Sequence, residues 1–244
     1  MGQKVPELSI VIPALNEEKF LPQALKGIQQ GMARKGDSFP FEVIVCDNAS
    51  EDQTAQVARE YGAHVIFEPK RQIARARNRG AAAAQGSWLL FLDADSLPTP
   101  PLFSELIRTI RDPMVLGGGA PLRLADAPWW AQIVAYTWNW ISRCTRWAPG
   151  SFLFCRKEAF QQLGGFDERL YISEEIDFSR RLKSLARKTG RRMVILREYL
   201  IVSGRKAYLY SVKDHLRFAL RCFLFPHRVR TDPSECWIWY EGRR

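Results

Sequence analysis

Between Ser87 and Leu97 the chain reads SWLLFLDADSL, and this stretch restricts the fold more than any other. Trp88, Leu89, Leu90, Phe91 and Leu92 form a short apolar run preceded by Gly86. A run of that length without alternation predicts a strand buried on both faces, as in a sheet sandwiched between helices. It breaks off at Asp93, Ala94 and Asp95. Carboxylates at the end of a central strand are costly to bury unless a cation meets them. In an open α/β sheet, the C-terminal edge of the strands is also where ligands bind. A divalent metal carrying a diphosphate accounts for both the position and the charge. The competing reading is a strand running into an Asp-rich turn, and Asp-x-Asp by itself does not separate the two.

The preceding chain repeats this strand-then-carboxylate pattern. Leu8 to Ile12 reads as a first buried strand, followed by Pro13 and a polar loop with Asn16, Glu17 and Glu18 that feeds a helix to about Gly31. Phe41 to Cys46 is a second such run, ending in Asp47 and Asn48. Ser50-Glu51-Asp52-Gln53 has the form of a capping box, with Ser50 as the cap of a helix that Gly62 ends. His64 to Phe67 reads as a third strand, with His64 at a sheet edge. Arg71, Arg75, Arg77 and Arg79 then lead into Ala81–Ala84, a helical run of small residues suited to close packing. These arginines are either a solvated helix face or phosphate and base contacts. Strands alternating with helices predict an α/β fold built on a doubly wound, mostly parallel sheet with helices on both faces.

Downstream, Thr99 is expected to cap a helix opened by Pro100 and Pro101 and reaching Arg111. Met114 to Leu116 reads as a strand followed by Gly117-Gly118-Gly119, and Gly150 to Cys155 as another. Between them, Trp129 to Trp147 carries five tryptophans and no acidic residue. It is open to three readings: an interfacial helix touching lipid, an aromatic wall of a sugar site, or a helix packed in the core. After the Gly164-Gly165-Phe166-Asp167 turn, Ser173 is placed to cap a helix that begins Glu174-Glu175-Ile176-Asp177 and runs towards Gly190. The helix dipole by itself explains acidic residues there, and it would keep a carboxylate ionised to accept a proton. Met193 to Leu196 reads as a last strand, Val202 to Lys206 as a basic loop, and Tyr208 to Phe225 as an apolar and basic helix. The end of the chain carries His227, Arg228, Arg230, Trp237 and Trp239. Residues 1–206 are taken as one domain and 207–244 as a helical extension packed on it.

Composition narrows the chemistry. With 46% hydrophobic and 25% charged residues among 244, the chain can bury a large core and is not of disordered type. A net charge of +10 suits an anionic partner such as polyphosphate, nucleic acid or an anionic membrane. Cys46, Cys144, Cys155, Cys222 and Cys236 form no Cys-x-x-Cys pair and read as reduced packing residues, which points to a cytoplasmic location. His64, His215 and His227 are too scattered for a zinc site, so a metal here would be Mg²⁺ or Mn²⁺ on oxygen ligands. The start of the chain lacks the apolar core of a signal peptide, and no uncharged run reaches the length of a membrane span.

Five segments together carry a resemblance: IVIPALNEE (Ile10 to Glu18), VCDNASEDQT (Val45 to Thr54), FLDADS (Phe91 to Ser96), GGFDE (Gly164 to Glu168) and SEEIDFSRRLK (Ser173 to Lys183). In order and spacing they resemble family 2 glycosyltransferases of GT-A fold, over roughly Leu8 to Lys206. The resemblance implies transfer of a sugar from a nucleotide-diphospho-sugar donor, with inversion. These motifs do not name the acceptor, carbohydrate or lipid-linked; the Trp129–Trp147 segment and the basic C-terminal helix favour a lipid-linked one. It places Pro13, Ala14, Asn16 and Glu17 in the loop that meets the nucleotide, and Asp47 on the carboxylate facing the base. Asp93-Ala94-Asp95 matches the family's Asp-x-Asp, with Asp95 as direct metal ligand and Asp93 nearer the ribose. Arg77 falls near a basic contact to the nucleotide, and Arg205 in a loop resembling one that closes on the donor diphosphate. Glu174-Glu175 matches a Glu-Asp pair whose second member is the general base. Glu in place of Asp moves that carboxylate by one methylene and keeps Glu174 and Asp177 as candidates.

An acceptor hydroxyl needs a positioned base, and a departing nucleoside diphosphate needs positive charge, so two acidic clusters with different tasks suit such a transfer. A metal-dependent nucleotidyltransferase would be expected to show a glycine-rich basic phosphate loop after the first strand, where this chain has Pro13-Ala14-Leu15-Asn16-Glu17. A nucleic-acid-binding protein accounts for the charge and the tryptophans but not for carboxylates at successive strand ends. A non-catalytic nucleotide-sugar binder is compatible with Glu175 in place of Asp. Peripheral membrane contact through Trp129–Trp147 or the C-terminal helix, at the cytoplasmic face, follows from the aromatic and basic character of those segments.

Overall fold

The computed structural model describes residues 5–33, 39–209 and 212–236. Trp237 and Trp239 lie outside the described residues. In chain order the elements are β1 (Leu8–Ala14), α1 (Leu21–Ala33), β2 (Phe41–Asp47), α2 (Thr54–Glu60), β3 (His64–Phe67), α3 (Ile73–Ala83) and β4 (Trp88–Leu92). There follow β5 (Ser96–Leu97), α4 (Pro100–Ile110), β6 (Val115–Gly119), β7 (Leu122–Ala125), α5 (Trp129–Thr145), β8 (Phe152–Arg156) and α6 (Lys157–Gln162). The last are α7 (Glu174–Lys188), β9 (Arg192–Ile195), β10 (Leu200–Ser203), α8 (Lys206–Leu209), α9 (Val212–Leu224), α10 (Pro226–Thr231) and a 3₁₀ turn at Pro233–Glu235.

Seven strands form one sheet in the order β3-β2-β1-β4-β8-β6-β9. Only β8 runs against its neighbours, β4 and β6; the other pairings are parallel. The chain winds outward from β1 to β3, then returns to set β4 on the other side of β1. Such a reversal leaves a crevice at the C-terminal ends of the two central strands. Asp93 follows β4 directly, so the acidic run faces this crevice.

Side chains alternate across the central strands and build a core on each face. Leu8, Ile10 and Ile12 of β1 join Leu90 and Leu92 of β4 under α1 and α4, with Leu25, Ile28, Phe103 and Leu106. Val11, Leu89 and Phe91 face the other way, onto Phe160, Phe166 and Phe178. Those four phenylalanine rings, Phe91 included, sit with centroids 4.9 to 5.6 Å apart. The small residues of α3 do what their size allows: a Cβ on Gly80 would overlap Val11 of β1.

Several local expectations are corrected. Ser50 does not cap a helix; its hydroxyl accepts from the Asn16 backbone N–H at 2.9 Å, and α2 starts only at Thr54. Tertiary bonds between residues 16–18 and 50–54 outcompete the local box. Thr99 and Ser173 stand at the N-cap positions but make no side-chain cap. Gly117, Gly118 and Gly119 lie inside β6 rather than after it, because a Cβ on Gly118 would overlap the Val194 backbone of β9. Part of the expected basic loop is strand β10, which pairs with β5 and β7 in a three-stranded sheet that the sequence reading lacked. Cys46, Cys155 and Cys236 are buried as packing residues, but Cys144 is exposed and Cys222 half-buried. No helix among the described residues is long and apolar enough to cross a membrane.

Candidate active site

At the β1/β4 crevice lies a cleft of about 440 Å³. Its floor is made by strand ends: Pro13 and Ala14 of β1, and Asp93, Ala94 and Asp95 beyond β4. Glu17 and Arg205 stand on one side, and Arg77, Glu174 and Glu175 on another. Ten of the positions singled out from the sequence thus meet in one cavity although they come from five separate parts of the chain.

Arg77 sits between the two acidic clusters. From α3 it donates to Glu174 Oε1 at 2.7 Å, to Asp93 Oδ1 at 3.1 Å and to the Gly150 carbonyl at 3.1 Å. Its side chain is only 4% exposed. Burial opposes its charge, but Asp93, Glu174 and Glu175 outweigh that and hold its proton more tightly than usual. Arg77, expected near a basic contact to the nucleotide, lines the cleft with its two terminal nitrogens engaged in an internal brace and its Nε without a hydrogen-bond partner.

One guanidinium there faces three carboxylates, so the group does not balance electrically. Burial pushes the Glu174 carboxyl up to about 8, with Glu175 adding to the shift and Arg77 opposing it. Glu175 is likewise raised, chiefly by burial and against the pull of Arg77. The helix dipole, expected to keep these groups ionised, loses to desolvation. A Cβ on Gly150 would come within 2.9 Å of Arg77 Nη2 and 3.2 Å of Glu175 Cγ, so the backbone closes tightly over this pair.

On the other side, Arg205 is set just beyond β10, whose Ser203 N–H donates to the Asp95 carbonyl at 3.3 Å. Its guanidinium donates to Glu17 Oε1 at 2.7 Å, lies 3.2 Å from Asp95 Oδ2 and stacks over the Phe20 ring at 4.2 Å. β10 therefore carries the basic loop to the aspartates.

Three expected residues do not join the cleft. Asp177 pairs with Arg181 at 2.8 Å and faces a separate depression with Asn78 and Gly165. Asn16 braces the loop, accepting from the Glu51 N–H at 2.7 Å, and Asp47 accepts from the Ser50 N–H at 3.0 Å. Asn48 lines the cavity instead. It donates to the Glu68 and Lys70 carbonyls and accepts from Gln72 N–H, pinning that turn. The far wall is apolar and had little local signal: Leu122, Tyr171, Leu209, Phe218 and Cys222, with Trp138 of α5. Trp138 belongs to the tryptophan-rich segment, and Leu209, Phe218 and Cys222 to the expected C-terminal helix, but the sequence places neither segment at this cleft.

Residues 9–163 match the sequence model described as glycosyl transferase family 2. The chain belongs to that family. The matched residues run from β1 through α6, so Glu174, Glu175 and Arg205 of this glycosyltransferase lie beyond them. An uncharacterised glycosyltransferase of Mycobacterium tuberculosis H37Rv is 31% identical over 170 residues, spanning 66% of this chain and 73% of that one. The mouse dolichyl-phosphate beta-glucosyltransferase is 36% identical over 119 residues, 43% of this chain and 36% of its own length. In structure, the glycosyltransferase resembles a mannosyltransferase from Pyrobaculum calidifontis, solved with GDP-Man and Mn²⁺. The TM-score is 0.63 at 20% identity, over 98% of this chain and 71% of that one. The fold is GT-A.

Proposed function

We propose that this glycosyltransferase moves a sugar from a nucleotide-diphospho-sugar to an acceptor hydroxyl with inversion, using Glu175 as the general base. The observation that carries the reading is the pairing of two acidic clusters in one cleft, at the end of β4 and the start of α7, joined through Arg77. Glu174 is taken up by Arg77, which leaves Glu175 as the carboxylate for the acceptor. Deprotonated, it accepts the hydroxyl proton while that oxygen attacks the anomeric carbon opposite the departing diphosphate. Attack from the opposite face inverts the centre.

Asp95 and Asp93 offer the hard oxygen donors that Mg²⁺ or Mn²⁺ takes, and a diphosphate-bound ion of this kind needs only one or two protein carboxylates. Among the described residues no group of three or more metal-ligating side chains placed to hold an ion occurs. When bound, that ion would supply positive charge against the nucleoside diphosphate as it leaves. Arg205 can turn from Glu17 and Asp95 towards the same phosphates. Pro13, Ala14 and Asn48 then border the nucleotide, and Asn16 and Asp47 support the loops that carry them.

Calorimetric titration with UDP, GDP and dTDP, each with and without Mn²⁺, tests this. One nucleotide is expected to bind in a metal-dependent way, and Asp95→Ala to abolish it. Glu175→Gln should keep nucleotide binding and lose transfer by about 10²- to 10⁴-fold, the ordinary contribution of a general base. Absence of binding by all three nucleotides would overturn the reading.

A further inference from the structure

Helix α5 is packed with its polarity reversed. The residues it buries are small or polar: Ala131, Ala135, Asn139 and Ser142. Those it turns outward at helical spacing are Trp129, Ile133, Tyr136 and Trp140, exposed by 75%, 56%, 68% and 68%. Large apolar groups gathered on one exposed face mark a docking surface rather than ordinary scatter. At 100° per residue, Val134 and Ile141 fill the arc between this face and Trp138, which walls the cleft. Uncharged, largely apolar surface therefore runs round the helix from the cavity to its outermost edge.

The charges nearby are mainly basic, with Asp126 ahead of α5 and Asp214 in α9 as the acidic exceptions. α5 contains no acidic residue, and Arg143 and Arg146 are exposed at its C-terminal end. Arg123 and Arg143 both lie over the Tyr199 ring, at 5.3 and 5.9 Å. α8 and α9 reach the same cleft through Leu209, Phe218 and Cys222. Outward, α9 and the start of α10 show Leu220, Leu224 and Phe225 among exposed Lys213, Arg217 and Arg228. Two segments with apolar and basic surfaces thus meet at one cavity.

Charge complementarity selects the occupant. A second copy, itself of net charge +10, would set the same arginines of this face against one another. An anionic bilayer attracts the arginines and accepts the aromatic rings at its headgroup boundary. At 17 residues α5 is about 25 Å long, fit to lie in that boundary and not to cross it. We propose that the outward face of α5, together with α9–α10, docks on an anionic lipid surface, so that the acceptor is a membrane-resident lipid whose hydroxyl reaches Glu175 past Trp138. The acceptor half of this inference rests on the function proposed above; the docking half does not.

Flotation of the full chain with phosphatidylcholine vesicles, with and without phosphatidylglycerol, tests it. The protein is expected to float with the anionic vesicles and to be released by about 0.5 M salt, which screens exposed charges. W129S/W140S should weaken flotation by about tenfold or more, since it removes two interfacial aromatic anchors. Because both rings are exposed, its melting temperature should match that of the parent. Protein left at the bottom with anionic vesicles at low salt overturns the proposal, as does undiminished flotation of the double variant. A dimer in sedimentation equilibrium, lost in the double variant and unaccompanied by flotation, also overturns it and gives the face to a second copy. Nucleotide binding measured on the same preparation separates the two readings: binding without flotation removes the docking alone. Flotation without nucleotide binding supports the docking and removes the transfer.

Discussion

At the scale of single residues, Arg77 is the group whose loss should cost most. Removing one partner from a buried ion pair leaves the other charges uncompensated, typically at about 3–5 kcal/mol. Arg77→Met is expected to destabilise the protein by that order in urea unfolding, and Glu174→Gln added to it should restore part of the loss. Equal stability of the single and double variants would show that Glu174 does not depend on Arg77. The raised carboxyls give a signed pH dependence. With Glu174 held at about 8 in the folded protein and an unfolded value of about 4.3, the folded state binds the extra proton. That contribution to stability is full below about pH 4.3, is lost as the pH rises towards 8, and should flatten in Glu174→Gln. Transfer runs the opposite way. A protonated carboxyl cannot accept from the acceptor hydroxyl, and burial raises Glu175 above the usual carboxylate range, so the rate is expected to rise with pH above that range. A rate profile flat from pH 5 to 9, within about twofold, would exclude this pair as base. The acidic side of this arrangement was legible in Glu174-Glu175 and Asp93-Ala94-Asp95. That Arg77, 97 positions before Glu174, would bridge them was not, because a run of four arginines reads locally as a solvated face or as phosphate contacts and carries no sign of distant carboxylate partners.

Among the elements, α5 is clipped to β7 by Asn139, with Gln132 Nε2 donating to the Leu124 carbonyl at 2.9 Å earlier in the helix. Asn139 accepts from the Leu122 N–H at 2.8 Å and donates to the Leu122 carbonyl at 2.7 Å, completing the edge of β7 as a neighbouring strand would. Asn139→Ala removes both bonds and leaves two strand-edge groups unpaired, for an expected loss of about 1–3 kcal/mol. Hydrogen exchange should quicken at Leu122 and along α5 while β1 and β4 remain protected; uniform quickening would place Asn139 in the global core instead. Strands with mainly apolar runs (Leu8 to Ile12 and Phe41 to Cys46, broken only by Ser9 and Glu42, and Trp88 to Leu92) were readable from local pattern. β5, β7 and β10 were not, being short and half-exposed, and stable only through one another.

For the whole molecule, the cleft is assembled from both halves of the sheet and from β10, so filling it should tie these parts together. A nucleoside diphosphate with Mn²⁺ at about a hundredfold excess over its Kd is expected to stabilise the protein by about 2.7 kcal/mol, read as a rise in Tm. Asp95→Ala should show no rise. A rise of the same size without metal would instead assign donor binding to Arg205 and the loop residues.

What the sequence determined by itself is what local patterning can encode: buried strands from mainly apolar runs, their alternation with helices, and carboxylates delivered to strand ends. Those features set the GT-A layout and the crevice. Tertiary structure alone decided which charges meet. It drew Asn16 and Ser50 into cross-loop bonds, sent Asp177 to a different face, and turned Trp129 and Trp140 of α5 outward while Trp138 faced the cleft. Hydrogen bonds and ion pairs inside a folded protein are chosen by proximity and shared desolvation. Neither quantity exists until strands far apart in the chain have been brought side by side.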